Sequence, residues 1–375
     1  VVEERGDVHV VRLSFGDDGG ALQRRAALPF LGDARITRAG HAAVAEVGVH
    51  VDGIGVLPAQ AALRLGTVEP VSEELLVDQV ELAGLVGVGA ATLISMRLGQ
   101  KDYASAQYIL GNVVVLNFII GLGFGLVTLL FLDPILYFVG ASEATIGYAR
   151  DYMSIILMGN VITHMYLGLN SVLRASGHPR KSMYATIYTV VINAALDPLF
   201  IYGFGWGIRG AAIATVLAQI IALIWQFHIL SDKSELLHFR RGIYRLRRKI
   251  VRDILAIGMS PFLMNLAACF IVILINKGLK QYGGDLMIGA YGIVNRLAFF
   301  FVMIVMGINQ GMQPIAGYNF GARQYDRVLR VLRLTIIGAT CVTGAGFLMG
   351  ELAPRLAVSA FTNDPELIRL AVEGM

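Results

Sequence analysis

Enzyme signatures are missing from this sequence. It has no Walker A loop, no G-x-S-x-G elbow, no H-E-x-x-H pair and no C-x-x-C. Bound ATP, a nucleophilic serine and a zinc-activated water therefore have no visible home, and the chain reads as no enzyme with no cofactor. Cysteine is scarce: Cys269 and Cys341 both fall in apolar runs, which suits packing better than a disulfide or a metal pair. Charge is scarce as well. Only 15% of the 375 residues are charged against 56% hydrophobic, and mean hydropathy is +0.65, which excludes an ordinary water-soluble domain. A pI near 9.0 would suit nucleic acid. The basic residues cluster between apolar runs, however, so membrane topology explains them and no nucleic-acid partner is read. No initiator Met or signal peptide opens the chain and no natural end closes it at Met375; it reads as a fragment of a longer protein.

What the chain has in abundance is long apolar runs. Ile109–Leu132, Gly210–Leu230 and Ile254–Asn276 carry no Asp, Glu, Lys or Arg over 24, 21 and 23 residues. Tyr152–Leu173 is broken only by His164 and Met183–Phe204 only by Asp197. Leu286–Ala322 contains Arg296 alone, and Val328–Gly350 starts with Arg330 and Arg333. Each is long enough to cross about 30 Å of hydrocarbon at 1.5 Å per residue, and continuous runs of this kind span as helices. With Gly84–Met96 as half a span, the expectation is seven complete transmembrane helices and part of another.

The first 83 residues differ. They hold 13 of the 27 acidic residues, 7 of the 31 basic ones and no lysine. No apolar run here reaches the roughly 20 residues a span needs. This segment reads as foreign to the rest of the chain, as a frameshift would leave it. The division expected is thus 1–83 unmatched, 84–231 a first helical lobe, 232–253 a basic connector and 254–375 a partial second lobe. The connector, together with Ser231, carries eight Lys/Arg. Arg97/Lys101, Arg174/Arg180/Lys181, this connector and Arg323/Arg327/Arg330/Arg333 fall at every second turn, which places that set in the cytoplasm against anionic lipid, as in a cell (inner) membrane.

An internal repeat appears at an offset of 222 residues. Gly89-Ala-Ala-Thr-Leu-Ile-Ser-Met-Arg-Leu-Gly99 lies over Gly311-Met-Gln-Pro-Ile-Ala-Gly-Tyr-Asn-Phe-Gly321, and Ile146, Ala149 and Met153 over Ile368, Ala371 and Met375. Both copies precede a basic turn and a further span. The fold class expected is all-α, a polytopic membrane protein of two pseudo-symmetric lobes related by an axis along the membrane normal.

One acid stands out. An ionised, unpaired Asp197 at mid-span would cost on the order of 3 kcal/mol, so such a residue is usually functional. Asn193 lies one turn earlier on the same face. Thr215, about six residues into the next antiparallel helix, can meet Asp197 at one depth, and Tyr152 at the end of its span could donate to the same cluster. A carboxyl kept from water favours its neutral form, so a proton can be taken up and released there, while Pro198 lets the helix bend in response. The bland alternative pairs Asp197 with Arg209. Asn, Asp and Thr oxygens would hold sodium as readily as a proton. Asn276, Asn309, Gln310 and Gln313 are weaker candidates for a substrate cavity, since amides also join helices. Asn295 is read the same way. His164, with no partner at metal spacing, reads as a satisfied core histidine, and Gly121, Gly123 and Gly125 as sites of close helix approach.

The runs GVGAATLISMRLGQKDY (87–103), LDPLFIYGFGWGIRGAAIATVLAQ (196–219) and GINQGMQPIAGYNFGARQYDRV (307–328) closely resemble the multidrug and toxic compound extrusion (MATE) transporters, best their bacterial DinF-like branch. The resemblance covers residues 84–375. It implies twelve helices in two six-helix lobes about a central cavity, of which the first, half the second and the last three would be absent here. It also implies export of amphipathic, often cationic, organic compounds by a monomer in the lipid bilayer, with H+ or Na+ as coupling ion. Asn193, Asp197, Thr215 and Tyr152 match the residues of that branch's N-lobe cation site; its first-helix Asp would fall at Asp52, where the surroundings fit poorly. A lipid II or oligosaccharide-lipid flippase of the same superfamily would need a cationic cavity, and the spans offer only Arg296. A membrane-embedded transferase would need Asp/His clusters at one face. An inactive fragment is the remaining alternative.

Overall fold

The computed structural model describes residues 48–51, 54–58, 82–139, 143, 145–362 and 364–375. A short antiparallel hairpin, β1 (Gly48–Val51) and β2 (Ile54–Pro58), stands in the N-terminal segment; Asp52 lies outside the described residues. The described elements after it are helices joined by turns and loops. The order is α1 (Leu82–Gly99), α2 (Tyr103–Leu130), α3 (Leu132–Val139), α4 (Ile146–Met158), α5 (Asn160–Ala175), α6 (Pro179–Pro198), a π-helical turn (Leu199–Gly203) and α7 (Gly207–Ser231). There follow α8 (Arg248–Gly321), α9 (Tyr325–Leu352), α10 (Pro354–Ser359) and α11 (Pro365–Glu373). Among the described residues seven helical stretches are long and apolar enough to cross a membrane, and α4 with α5, broken at Gly159, makes an eighth. The chain is an all-α, multi-pass membrane protein.

One expectation changes. Residues 277–285, expected as a connector between two spans, are helical, so α8 runs unbroken for 74 residues. The segment has no proline, and its glycines weaken a helix without ending it. At 1.5 Å per residue α8 is about 110 Å long, several times the hydrocarbon thickness. Its apolar stretches Arg248–Val272 and Gly289–Gly321 therefore count as two spans. The side chains of Cys269 and Asn276 lie outside the described residues.

Small and polar residues share the buried helix contacts with an apolar core that includes Ile94, Ile109, Leu110 and Leu169. On α2 the buried positions include Gln107, Gly111, Asn112, Asn117, Gly121, Gly125 and Thr128, with Ile109, Leu110, Val113 and Leu116 beside them. Phe118, Ile119, Leu122, Leu126 and Leu130 are exposed. Lipid solvates large apolar side chains as well as a protein core does, so small and polar residues take the contacts between helices. Against α5 the small residues mesh: a Cβ on Gly121 would lie 3.2 Å from His164 Cβ, and one on Gly168 would lie 2.0 Å from Asn117 Nδ2. Gly123, by contrast, faces open space. His164 is fully buried as expected, yet neither of its ring nitrogens has a hydrogen-bond partner among the described residues, so it is not the satisfied core histidine the sequence suggested.

The offset of 222 is written into the backbone. It carries Tyr103–Leu130 onto Tyr325–Leu352, both 28 residues long. It also carries Lys101 onto Arg323, the two non-glycine residues with positive φ among those described, each at 59°. The turn bonds correspond one for one: Lys101 N to Leu98 O and Asp102 N to Arg97 O in one copy, Arg323 N to Phe320 O and Gln324 N to Asn319 O in the other. Where α1 meets α8 the contact is reciprocal. A Cβ on Gly99 would sit 1.9 Å from Tyr318 O, and one on Gly321 would sit 2.0 Å from Met96 O. The offset exchanges these two pairs and maps the Ser95–Gly317 contact onto itself, the signature of an isologous interface. The two halves are pseudo-symmetric.

The copies differ in their caps. Asp102 Oδ1 accepts from Ser105 N at 3.0 Å at the start of α2, whereas Gln324 provides no side-chain cap for α9. The Ser105 bonds, with Arg97 assisting, hold the Asp102 carboxyl below its usual range. A lowered carboxyl adds stability above its unfolded pKa of about 4 and loses it as pH falls through the folded value. Asp102→Ala should therefore cost about 1 kcal/mol near neutral pH. The deficit should shrink in acid, as read by thermal unfolding in detergent, and Asp102→Asn should keep most of the stability.

The connector expected over 232–253 lies between helices only over 232–247, since α8 takes in 248–253, and it is docked, not draped. Asn112, fully buried on α2, donates to Arg245 O at 3.3 Å and accepts from Arg247 N at 2.9 Å. Ile243 O occupies the place a Cβ on Gly111 would take. Glu235 is held by Lys181 and by His178 Nε2 at 2.9 Å. Asn112→Leu would remove the side-chain partner of the Arg245 carbonyl and of the Arg247 N–H, about 1 kcal/mol per hydrogen bond lost. Trypsin cleavage within the connector should then be faster than in the unaltered chain.

Candidate functional site

Packing divides the chain into two compact units. One comprises residues 1–75, 129–156 and 193–215; the other comprises 76–128, 157–192 and 216–375. Asn193, Asp197, Thr215 and Tyr152, read from three separate spans, all fall in the first.

Asp197 is the penultimate residue of α6, and Pro198 follows it. Proline has no N–H for the carbonyl one turn back, so the α ladder ends there. The chain continues as the π-helical turn, closed by Phe204 N to Leu199 O at 3.0 Å. Such turns are rare and concentrate at functional sites. Gly205 and Gly207, at φ of +68° and +56°, reverse the chain into α7. A Cβ on Gly210 would lie 2.8 Å from Phe200 O, so this glycine lets α7 close against the π turn.

That closure brings three of the four expected residues together, Asn193, Asp197 and Thr215. Asn193 Nδ2 donates to Asp197 Oδ1 at 3.2 Å and to Thr215 Oγ1 at 3.3 Å. Thr215 spends its own proton on Ala211 O at 3.0 Å, leaving its oxygen to accept. All three residues are half-buried. The result is a carboxylate, an amide and a hydroxyl joined by one donor group. Hard oxygens of this kind suit a proton or a small monovalent cation.

Arg209 settles the alternative pairing. Its Nη2 lies 2.8 Å from Asp151 Oδ1, and no ion pair among the described residues includes Asp197. The guanidinium that could have neutralised Asp197 is held by another acid, on α4. Arg150, beside it, grips both oxygens of Asp133 at 2.7 Å. Tyr152 follows Asp151 directly and is half-buried on the helix so anchored. The Asp151–Arg209 pair was not foreseen; an acid at the end of a span, next to Tyr152, was the signal that could have found it.

The weaker candidates lie in the other unit. Gln313 Nε2 donates to Thr92 Oγ1 at 2.6 Å and to Val88 O at 3.2 Å, joining α8 to α1. Asn309 and Gln310 are exposed.

The MatE family model matches residues 81–199 and again 258–375. This chain belongs to the MatE family. Multidrug export protein MepA of Staphylococcus haemolyticus (strain JCSC1435) is 30% identical over 287 residues, covering 76% of this chain and 63% of that protein. MepA of Staphylococcus aureus (strain NCTC 8325 / PS 47) is 30% identical over 294 residues, 77% and 64% respectively. The chain thus spans a little under two thirds of these relatives. The MATE multidrug transporter DinF-BH, solved in complex with R6G, superposes at a TM-score of 0.73 with 31% identity over 82% of this chain and 69% of that one. The outward-facing conformation of a multidrug resistance MATE family transporter of the MOP superfamily gives 0.76 at 22% identity, over 83% and 69%, a likeness of fold. Asn193 and Asp197 lie inside the first match.

Proposed function

We propose that this MatE chain forms part of a secondary active antiporter that exports amphipathic organic cations in exchange for protons or sodium, with Asp197 as the ion-binding carboxylate. One observation carries the reading: a carboxylate in an apolar span bridged by Asn193 to Thr215, while the nearby Arg209 is bound to Asp151. The MepA relatives and the R6G complex of DinF-BH support the substrate class. On this reading the protein acts as a monomer in the cell (inner) membrane, with the basic connectors cytoplasmic.

The chemistry follows from the bridge. With Asp197 ionised, Asn193 gives it one amide hydrogen and Thr215 the other. Binding a proton or sodium cancels the charge, and the amide can shift toward Thr215. Pro198 and the π turn leave the end of α6 short of ladder bonds, so the helix can bend at low cost when this happens. Tyr152 is the further hydroxyl assigned to the cluster. The test is R6G uptake into everted vesicles bearing the full-length protein, with a pH gradient or a sodium gradient imposed alone. One of the two should drive uptake, and uptake indifferent to both would reject ion coupling.

A further inference from the structure

Five cations on a fixed stretch of connector have no counter-ion among the described residues. Of the eight Lys/Arg between Ser231 and Asp253, Arg240 donates to His238 Nε2 at 2.8 Å, and Arg247 lies 3.2 Å over the Tyr108 ring. Lys233 stands apart near the end of α7. Arg241, Arg245, Arg248, Lys249 and Arg252 are all exposed, and none is in an ion pair among the described residues. Of the acids in the same stretch, Glu235 is engaged with Lys181 and His178 and Asp232 with Ser234 N at 2.9 Å; Asp253, half-buried beside Arg252, leaves the stretch with a large excess of positive charge.

A run of like charges repels itself and normally spreads out. Here the backbone beneath it is held by Asn112, by the Ile243–Gly111 contact and by His238 N on Gln107 Oε1. Arg248 and Arg252, four apart at the start of α8, share one face of the helix. The stretch joins two candidate spans, Gly207–Ser231 and Arg248–Val272, which sets it at the depth of lipid headgroups. Tyr244 and Leu246 are 43% and 46% exposed in its midst. An aromatic and an aliphatic among cations is what a surface half in headgroups and half against acyl chains requires. Guanidinium groups match phosphate oxygens in pairs, and a fixed backbone spares the entropy of arranging them.

We propose that residues 240–252 form a preorganised site for the phosphate headgroup of an anionic phospholipid, walled by Arg241, Arg245, Arg248, Lys249 and Arg252, with Tyr244 and Leu246 against the lipid chains. The site is independent of the ion-coupling reading.

The test is lipid retention by the purified chain in neutral detergent, read by native mass spectrometry after equilibration with phosphatidylglycerol or phosphatidylcholine. Phosphatidylglycerol should be retained preferentially, and less so as salt is raised. Arg245→Gln and Lys249→Gln should each weaken retention about fivefold, and the fourfold variant R241Q/R245Q/R248Q/K249Q should remove the preference. R323Q/R327Q/R330Q/R333Q, with four charges removed from another basic turn, should leave it intact. Equal retention of both lipids, or equal loss from both fourfold variants, would overturn the proposal. So would displacement of phosphatidylglycerol by inorganic phosphate at equal concentration. Should the fourfold variant fail to fold, the single variants and the salt series of the unaltered chain decide the matter.

Discussion

Asp197→Asn is expected to lower gradient-driven efflux by a hundredfold or more while the protein still inserts, folds and binds substrate. The amide that replaces the carboxyl is nearly its equal in volume and can still bond to Asn193, so α6 and the π turn keep their packing. What disappears is the one group whose charge can change. Without it, ion uptake has nothing to neutralise, and the Asn193 bridge to Thr215 has no reason to shift. Asn193→Leu and Thr215→Val should slow efflux less, because each removes a partner of the carboxylate and leaves the carboxylate. Asp151→Asn makes the contrast: it frees Arg209 to approach other acids and should impair transport without changing which ion drives it. Efflux with R6G as substrate, alongside R6G binding in detergent, separates loss of coupling from loss of binding.

The second large effect is on stability. Gly99→Ala and Gly321→Ala should each destabilise the chain by about 3 kcal/mol, because the new methyl would meet a backbone carbonyl at 1.9 or 2.0 Å. A flexible side chain could turn aside, but a helix backbone must move as a whole. Either substitution pushes α1 and α8 apart and loosens the other contact, since offset 222 makes them two ends of one interface. The double variant should therefore cost clearly less than the sum of the two. Gly123→Ala, whose methyl would meet nothing within 4 Å, should be neutral or slightly stabilising, as alanine favours helix over glycine. Thermal unfolding in detergent reads all four.

Much of this was legible in the sequence, for physical reasons. Hydrocarbon sets a length, so the spans could be counted, although 277–285 is helical, the expected 152–173 span is broken at Gly159 and α2 starts six residues before Ile109. The repeat was visible at Gly99 and Gly321 because only glycine lets two helix backbones touch. The Asn193–Asp197–Thr215 cluster followed from one-turn spacing plus equal depth across a short turn. What could not be read depends on which face of a helix meets which neighbour. Gln313, weighed equally as cavity lining or helix packing, bridges α8 to α1. Asn112 had no distinguishing sequence signal, yet it fixes the connector. Arg209 was weighed against Asp197, but choosing Asp151 required the path of α4. His164 looked like an ordinary core residue, and that its nitrogens lack partners among the described residues is a property of packing alone.

The most direct check is ion release on substrate binding, followed in purified full-length protein by a pH indicator and, in parallel, by radioactive sodium. The unaltered protein should release one of the two ions in proportion to R6G bound, and Asp197→Asn should release neither while binding R6G. Equal release from both proteins would contradict the assignment of the ion to Asp197.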